Sequence, residues 1–236
     1  LWQKALPDET GKQVDDRTDK QRTQFGEGLK ASNVWYGHAH ALTWVQPALP
    51  DGFVGTTYDG SGWCFVEASL SAALKRGPRR VDIGKFTKDK LFDPGVAGQI
   101  ERCASGTRPP PRLPSSVAKM LEDKSFFAKS IDLPKVAALY RDFFETVAPR
   151  QRELFLRNLQ WGDEEAVELA GALPSFVALE SLDLSGNEIG AKGGKALVAS
   201  VAVSGSLTSL NIATNAIGAE GAKALADALR VNGSLT

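Results

Sequence analysis

The apolar positions of the C-terminal half recur with a long, fixed period. Leu179, Leu182, Leu184 and Ile189 are followed 28 residues later by Leu207, Leu210, Ile212 and Ile217, with Asn187 and Asn215 in the same register. Leu197 and Val201 correspond in the same way to Leu225 and Leu229, and Leu235 begins another copy. One period earlier stands a worn copy with Leu154, Leu156, Trp161, Leu169 and Leu173, in which Leu159 takes the asparagine position. Alternating leucines predict a short strand with one apolar face. The stretch that follows, such as residues 191–204, predicts a helix closing each unit. A period in the range of 20–50 residues marks stacked units that share one core.

Before the repeats, Val136, Leu139, Tyr140 and Phe143 fall at i, i+3, i+4 and i+7 and predict a helix, with Asp132 as its cap and Pro134 in its first turn. Residues 104–116 carry Pro109, Pro110, Pro111 and Pro114. Prolines lack the amide donor, so neither helix nor sheet should cross here, and a semi-rigid linker is expected. Its Arg108-x-x-Pro111-x-x-Pro114 spacing also fits a proline-groove ligand, with the arginine available for an acidic pocket.

Towards the N-terminus, residues 10–33 are charged and partly helical in pattern. Residues 33–49 are rich in aromatic and β-branched types and predict a strand. A helix is expected over residues 63–75, stopped by Gly77-Pro78, and a short strand over residues 80–84. This alternation indicates an α/β domain with a mostly parallel sheet. At about 100° per residue, Glu67 falls about 40° from Trp63, inside the stripe formed by Trp63, Val66, Leu70 and Leu74. A carboxylate so placed must be paired or titrate above its usual range, because desolvation disfavours its charge. Catalytic and structural carboxylates are both built this way.

Two resemblances follow from these residues. Leu179-x-x-Leu182-x-Leu184-x-x-Asn187 and its copy resemble the leucine-rich repeats of the ribonuclease-inhibitor type over residues 151–236. Ser61-Gly-Trp63-Cys64-Phe-Val-Glu67 resembles the S-x-W-C-x-x-E helix motif of TIR domains and TIR-like protist proteins. Trp2-x-x-x-x-Leu6-Pro7 and Phe25-x-x-x-Leu29-x-x-x-Asn33-x-x-Tyr36 resemble flanking segments of the same family, over residues 1–85. The first resemblance implies a protein-binding solenoid. The second implies self-association and, in active members, cleavage of the nicotinamide–ribose bond of NAD with Glu67 as the carboxylate. Lys4 stands where the family has an acid and Asp8 where it has glutamine. The family's first strand and helix should precede Leu1, so the domain is expected to be incomplete and non-catalytic.

The expected architecture is therefore α/β: a partial TIR-like parallel-sheet domain (1–103), a Pro-rich linker (104–116), a helical cap (117–150) and a leucine-rich-repeat solenoid (151–236). The cap helix should pack on Trp161, and further repeats should follow Thr236. Residues between the leucines, Glu153, Phe155, Arg157, Ser181, Asp183, Ser185, Ser209 and Asn211, form a mixed polar strip suited to a protein partner. Asn187 and Asn215 should satisfy backbone groups of neighbouring units.

Composition narrows the function further. Lys+Arg and Asp+Glu both number 28 in 236 residues, which excludes strong steering by nucleic acid or by an anionic membrane surface. Two cysteines exclude a disulfide-dense scaffold or a multi-cysteine zinc site. No run approaches the ~18 apolar residues of a membrane span. An intracellular, cytoplasmic setting is expected, with organelles not excluded. The start has no signal-peptide core and no initiator methionine, as in a processed chain or a piece of a longer one. His38 and His40 share one side of the expected strand but lack the third ligand of a catalytic zinc site. Cys64 reads as a packing residue, and Cys103 has no visible role. Gly194-Lys195 lacks the glycine and hydroxyl of a phosphate loop, since Ile189 and Ala196 stand there. No cofactor is expected, NAD entering only as the substrate of an active TIR-like domain. The readings carried forward are an interaction protein, a TIR-like NAD hydrolase with sensing repeats, and a structural subunit of a larger assembly.

Overall fold

The computed structural model describes residues 18–38, 40–45, 55–75, 79–85, 103 and 108–235. Trp2, Leu6 and Pro7 and most of residues 86–107 lie outside the described residues, as does Thr236.

Helix α1 (Asp19–Gly37) opens with a capping box: Thr18 N–H donates to Gln21 Oε1 at 2.8 Å, and Gln21 N–H donates to Thr18 Oγ1 at 3.3 Å. The helix runs through Asn33, so among the described residues the strand expected over residues 33–49 is present only as β1 (Thr43–Val45). Local β-propensity at Val34–Tyr36 yields to the continuing helix. His38 is therefore the helix C-cap and His40 lies in a turn, not side by side on a strand. Helix α2 (Gly62–Leu74) starts behind Ser61, whose Oγ accepts from Cys64 N–H at 3.5 Å, and leads to β2 (Arg80–Asp82). β1 and β2 pair in parallel, Trp44 opposite Val81.

The proline segment is not a solvated linker. Residues 108–113 are extended, with Arg108, Pro110 and Pro111 buried. Pro114 then opens α3 (Pro114–Glu122), where its missing N–H costs nothing at the first helical position. Two side chains hold the segment from inside: Tyr140 Oη accepts from Arg112 N–H at 3.2 Å and donates to Arg112 O at 2.9 Å, and Trp161 Nε1–H donates to Arg108 O at 2.8 Å. Arg108 is thus spent inside the fold and is not free for an acidic pocket.

Helix α4 (Lys129–Val147) begins three residues before Asp132, which instead reaches back to accept from Ala128 N–H at 3.2 Å. Val136, Tyr140 and Phe144 form its buried stripe, one turn apart, while Leu139 and Phe143 are half-buried. Phe143 faces Gly37 of α1 so closely that no side chain would fit there. Phe126, just before α4, closes on Gly62 of α2 in the same way.

β3 (Glu153–Phe155), β4 (Ser181–Asp183) and β5 (Ser209–Asn211) form a parallel sheet in the order β3-β4-β5, and every paired residue is offset by 28. Helices α5 (Asp163–Ala172), α6 (Ala191–Ala202) and α7 (Gly218–Val231) follow the strands in turn. The period reaches the backbone: Asn158, Gly186 and Thr214, each 28 apart, all take the left-handed conformation, with φ of 56°, 69° and 55°. Only glycine adopts it without steric cost.

One buried cluster runs from Val66 and Leu70 of α2 through Val117, Leu121, Val136, Tyr140 and Phe144 to Leu154, Trp161, Leu182 and Leu207. Trp161 is fully enclosed, and Phe144 meets Phe176 edge-on at 5.8 Å. The helices before the repeats therefore close the β3 end of the sheet and share its core.

Candidate functional site

Two surfaces carry the residues singled out by the sequence. The first is the face of the β3-β4-β5 sheet turned away from the core. Leu154 and Leu182 point inward and are buried, while their neighbours point out. Glu153, Arg157, Ser209 and Asn211 are exposed, and Phe155, Ser181, Asp183 and Ser185 are half-buried. Asp183 Oδ1 accepts from Ser185 N–H at 3.0 Å and from Ser185 Oγ–H at 2.6 Å; Asn211 Oδ1 accepts from Ala213 N–H at 3.1 Å, 28 residues on. Arg152 and Glu180 form an exposed ion pair at 2.9 Å on the rim. The face combines one aromatic ring, both charge signs and hydrogen-bonding groups.

Behind this face the asparagines explain the repeat. Asn187 Oδ1 accepts from Leu159 N–H at 2.9 Å and Trp161 N–H at 3.2 Å; its Nδ2 donates to Leu156 O and Leu184 O, both at 2.8 Å. Asn215 repeats the pattern one unit on, accepting from Ile189 N–H at 3.1 Å and donating to Leu184 O at 2.9 Å and Ile212 O at 3.0 Å. Each amide thus joins its own unit to the one before. Leu159, with no described unit before it to serve, sits buried where the amide would be.

The second site surrounds the first turns of α2. Glu67 is half-buried and hydrogen-bonded to the Tyr36 hydroxyl of α1. Burial holds its carboxyl above the usual range, and the Tyr36 bond opposes that shift in part. Tyr58, in the turn before α2, is pushed up to about 12, first by burial and then by its electrostatic interaction with Cys64; Arg80 of β2 opposes this. Tyr36, Tyr58, Cys64, Glu67 and Arg80 thus form one polar group drawn from four segments. Sequence patterning singled out Glu67, because nothing local signals that Tyr36 will meet it or that Arg80 will face Tyr58. Among the described residues, no group of three or more His, Cys, Asp or Glu side chains is arranged to hold a metal ion.

Lys75 carries no signal in the sequence, and Arg108, expected to be available for an acidic pocket, is buried instead. Lys75, at the end of α2, is fully buried, and its ammonium donates to His38 O at 2.8 Å and Ala41 O at 2.7 Å. Burial, and then the charge of Arg79, push it down to about 8. Arg108 donates through Nη1 to Lys75 O and through Nη2 to Phe155 O at 2.8 Å, linking the end of α2 to β3. A terminal lysine suits a helix C-terminus on dipole grounds, but its burial has no local signature.

A family model described as Leucine Rich repeat matches residues 179–198 and 204–226. The chain contains two leucine-rich repeats. No curated protein matches it. The matched stretches begin at Leu179 and Ser204 and take in β4, β5 and most of α6 and α7. The worn unit before them, with β3 and α5, continues the same backbone register in space. No helix among the described residues is long and apolar enough to cross a membrane.

Proposed function

We propose that this chain is a protein-interaction module of the ribonuclease-inhibitor type of repeat, binding a protein partner across the outward face of β3, β4 and β5. The observation that carries this reading is the parallel register. It holds Glu153, Phe155 and Arg157, then Ser181, Asp183 and Ser185, then Ser209 and Asn211, in rows on a rigid sheet. An aromatic residue flanked by arginine and carboxylates is the composition from which interface anchors are drawn. The setting is intracellular, and the N-terminal half, through its TIR-like resemblance, adds a surface for self-association.

The test is an intact chain carrying Phe155→Ala with Asp183→Arg, beside a control substituted on the outer face of α6 at Lys195. Proximity labelling in cells should lose the same specific proteins from the face variant and keep them in the control. Equal labelling by all three forms would defeat the reading.

A second reading rests on Glu67: a TIR-like domain cleaving NAD, in which a half-buried carboxylate stabilises positive charge developing on the ribose. The raised carboxyl and its tyrosine partner support it. Nicotinamide release that vanishes in Glu67→Gln would establish it. Absence of release from the folded parent chain would leave Glu67 a structural carboxylate.

A further inference from the structure

The packing of α1, α2 and β2 gathers four cations: Lys75, Arg79, Arg80 and Arg108. None of them forms an ion pair within 4 Å among the described residues. Main-chain carbonyls account for much of their hydrogen bonding. Lys75 serves His38 and Ala41, Arg79 donates to His40 O at 2.8 Å, and two nitrogens of Arg108 serve Lys75 and Phe155. Carbonyl dipoles at helix ends offset a cation only in part, because they carry no net charge.

Two needs remain. Arg108 is 5% exposed, and its Nε has no hydrogen-bond partner among the described residues. Arg80 is half-buried, and among the described residues its side chain makes one hydrogen bond, a long one, Nε to Ser71 Oγ at 3.4 Å. The charge of Arg80 also reaches Arg108 and lowers its affinity for its proton, as Arg79 does to Lys75. The carboxylates of Asp59 and Asp82 act on Arg80 from a distance, and Asp82 Oδ1 is occupied by Gly84 N–H at 2.9 Å. Among the described residues, four cations against two carboxylates leave a surplus of positive charge beside the unpartnered Arg108 Nε.

We propose that the Arg80 side of this corner is a binding site for a doubly charged oxyanion of the phosphate type, held by the terminal nitrogens of Arg80, which have no hydrogen-bond partner among the described residues, with buried Arg108 adding its charge. The planar fork of a guanidinium matches two oxygens of a phosphate, and partial burial strengthens the contact. The site joins the end of α2 to β3 through Arg108, so an anion there would also strengthen the junction between the N-terminal half and the repeats. It depends neither on the partner face nor on Glu67 catalysis.

The test uses the whole chain and inorganic phosphate. Thermal unfolding is followed at pH 7 in phosphate and in chloride of equal ionic strength, for the parent, Arg80→Gln and Arg80→Lys. The expected result is a Tm that rises and saturates with phosphate in the parent, a rise lost in Arg80→Gln and weakened at least several-fold in Arg80→Lys. In chloride, Arg80→Gln should melt no lower than the parent, because removing Arg80 relieves repulsion. Phosphate also stabilises proteins by exclusion from their surface, without saturation. A rise that is linear in phosphate and persists in Arg80→Gln would overturn the proposal, as would equal Tm values in phosphate and chloride. Should Arg80→Gln fail to fold, phosphorus NMR line broadening with the parent and Arg80→Lys decides: equal broadening, or none in either, refutes it. ADP in place of phosphate then distinguishes a phosphate ester from the free ion as the preferred source.

Discussion

The two halves of this molecule meet the same demand in opposite ways. In the repeats, buried backbone groups are satisfied by Asn187 and Asn215, which make corresponding bonds one period apart. In the N-terminal half, polar side chains drawn into the fold meet one-off partners far along the chain: Lys75 the carbonyls of His38 and Ala41, Glu67 the Tyr36 hydroxyl, and Arg108 the carbonyls of Lys75 and Phe155. Repetition makes a polar solution readable and spreads it along the stack. One-off solutions place charged groups where function or strain can use them.

The comparison breaks first if the halves do not share a core. Trp161→Ala removes a fully buried ring that donates to Arg108 O, and should cost about 4 kcal/mol. Both halves should still unfold in one transition, followed by circular dichroism in urea and by hydrogen exchange; two separated transitions would divide the halves.

Within the repeats, position along the stack should matter. Asn187→Ala leaves three buried backbone groups unpaired, Leu159 N–H, Trp161 N–H and Leu156 O, while Leu184 O keeps its bond from Asn215, and should cost about 3 kcal/mol. Asn215→Ala, with the same chemistry at a half-buried site, should cost about 1 kcal/mol. Equal costs in urea titration would mean that the last unit is as well enclosed as the middle one.

In the N-terminal half the test is pH. Lys75 titrates at about 8 in the fold against 10.5 ordinarily, so between these values the unfolded chain binds more protons. Stability should therefore rise with pH over that window. Tyr58 and Tyr140, pushed up to about 12, act in the opposite sense above pH 10, so the interval from 8 to 10 is the one to read. Lys75→Met should flatten the rise there. Glu67 has the opposite sign: its raised carboxyl keeps its proton longer in the fold, so its contribution falls as pH rises above about 4.5, and Glu67→Gln should remove that fall.

The smallest effect concerns Thr214, a β-branched residue at φ of 55° where the unit before has Gly186. Thr214→Gly should stabilise the chain by about 1 kcal/mol in thermal unfolding. Gly186→Ala should destabilise it, since an added Cβ would collide with Asn158 Oδ1.

Legibility followed periodicity. The strands at Leu154, Leu182 and Leu210 and their register were readable because every unit faces nearly the same surroundings, so one pattern had to recur. The helix at Gly62–Leu74 and the strand at Arg80–Asp82 were readable from stripe and punctuation. The strand expected from Asn33 was misplaced because aromatic, β-branched residues continue a helix when its face packs, as Gly37 does on Phe143. The proline segment was misjudged because a missing amide donor is compatible with burial once Tyr140 and Trp161 serve the remaining groups.

By itself, then, the order of residues determined the repeat: its 28-residue period, its inward leucines, its bridging asparagines and the outward row from Glu153 to Asn211. These depend on neighbours that are copies of one another. Tertiary structure alone decided that Tyr36 meets Glu67, that Lys75 is buried, and that Arg108 joins α2 to β3 beside Arg80. Those contacts pair residues with no common period, and only the closing of a shared core brings them within reach.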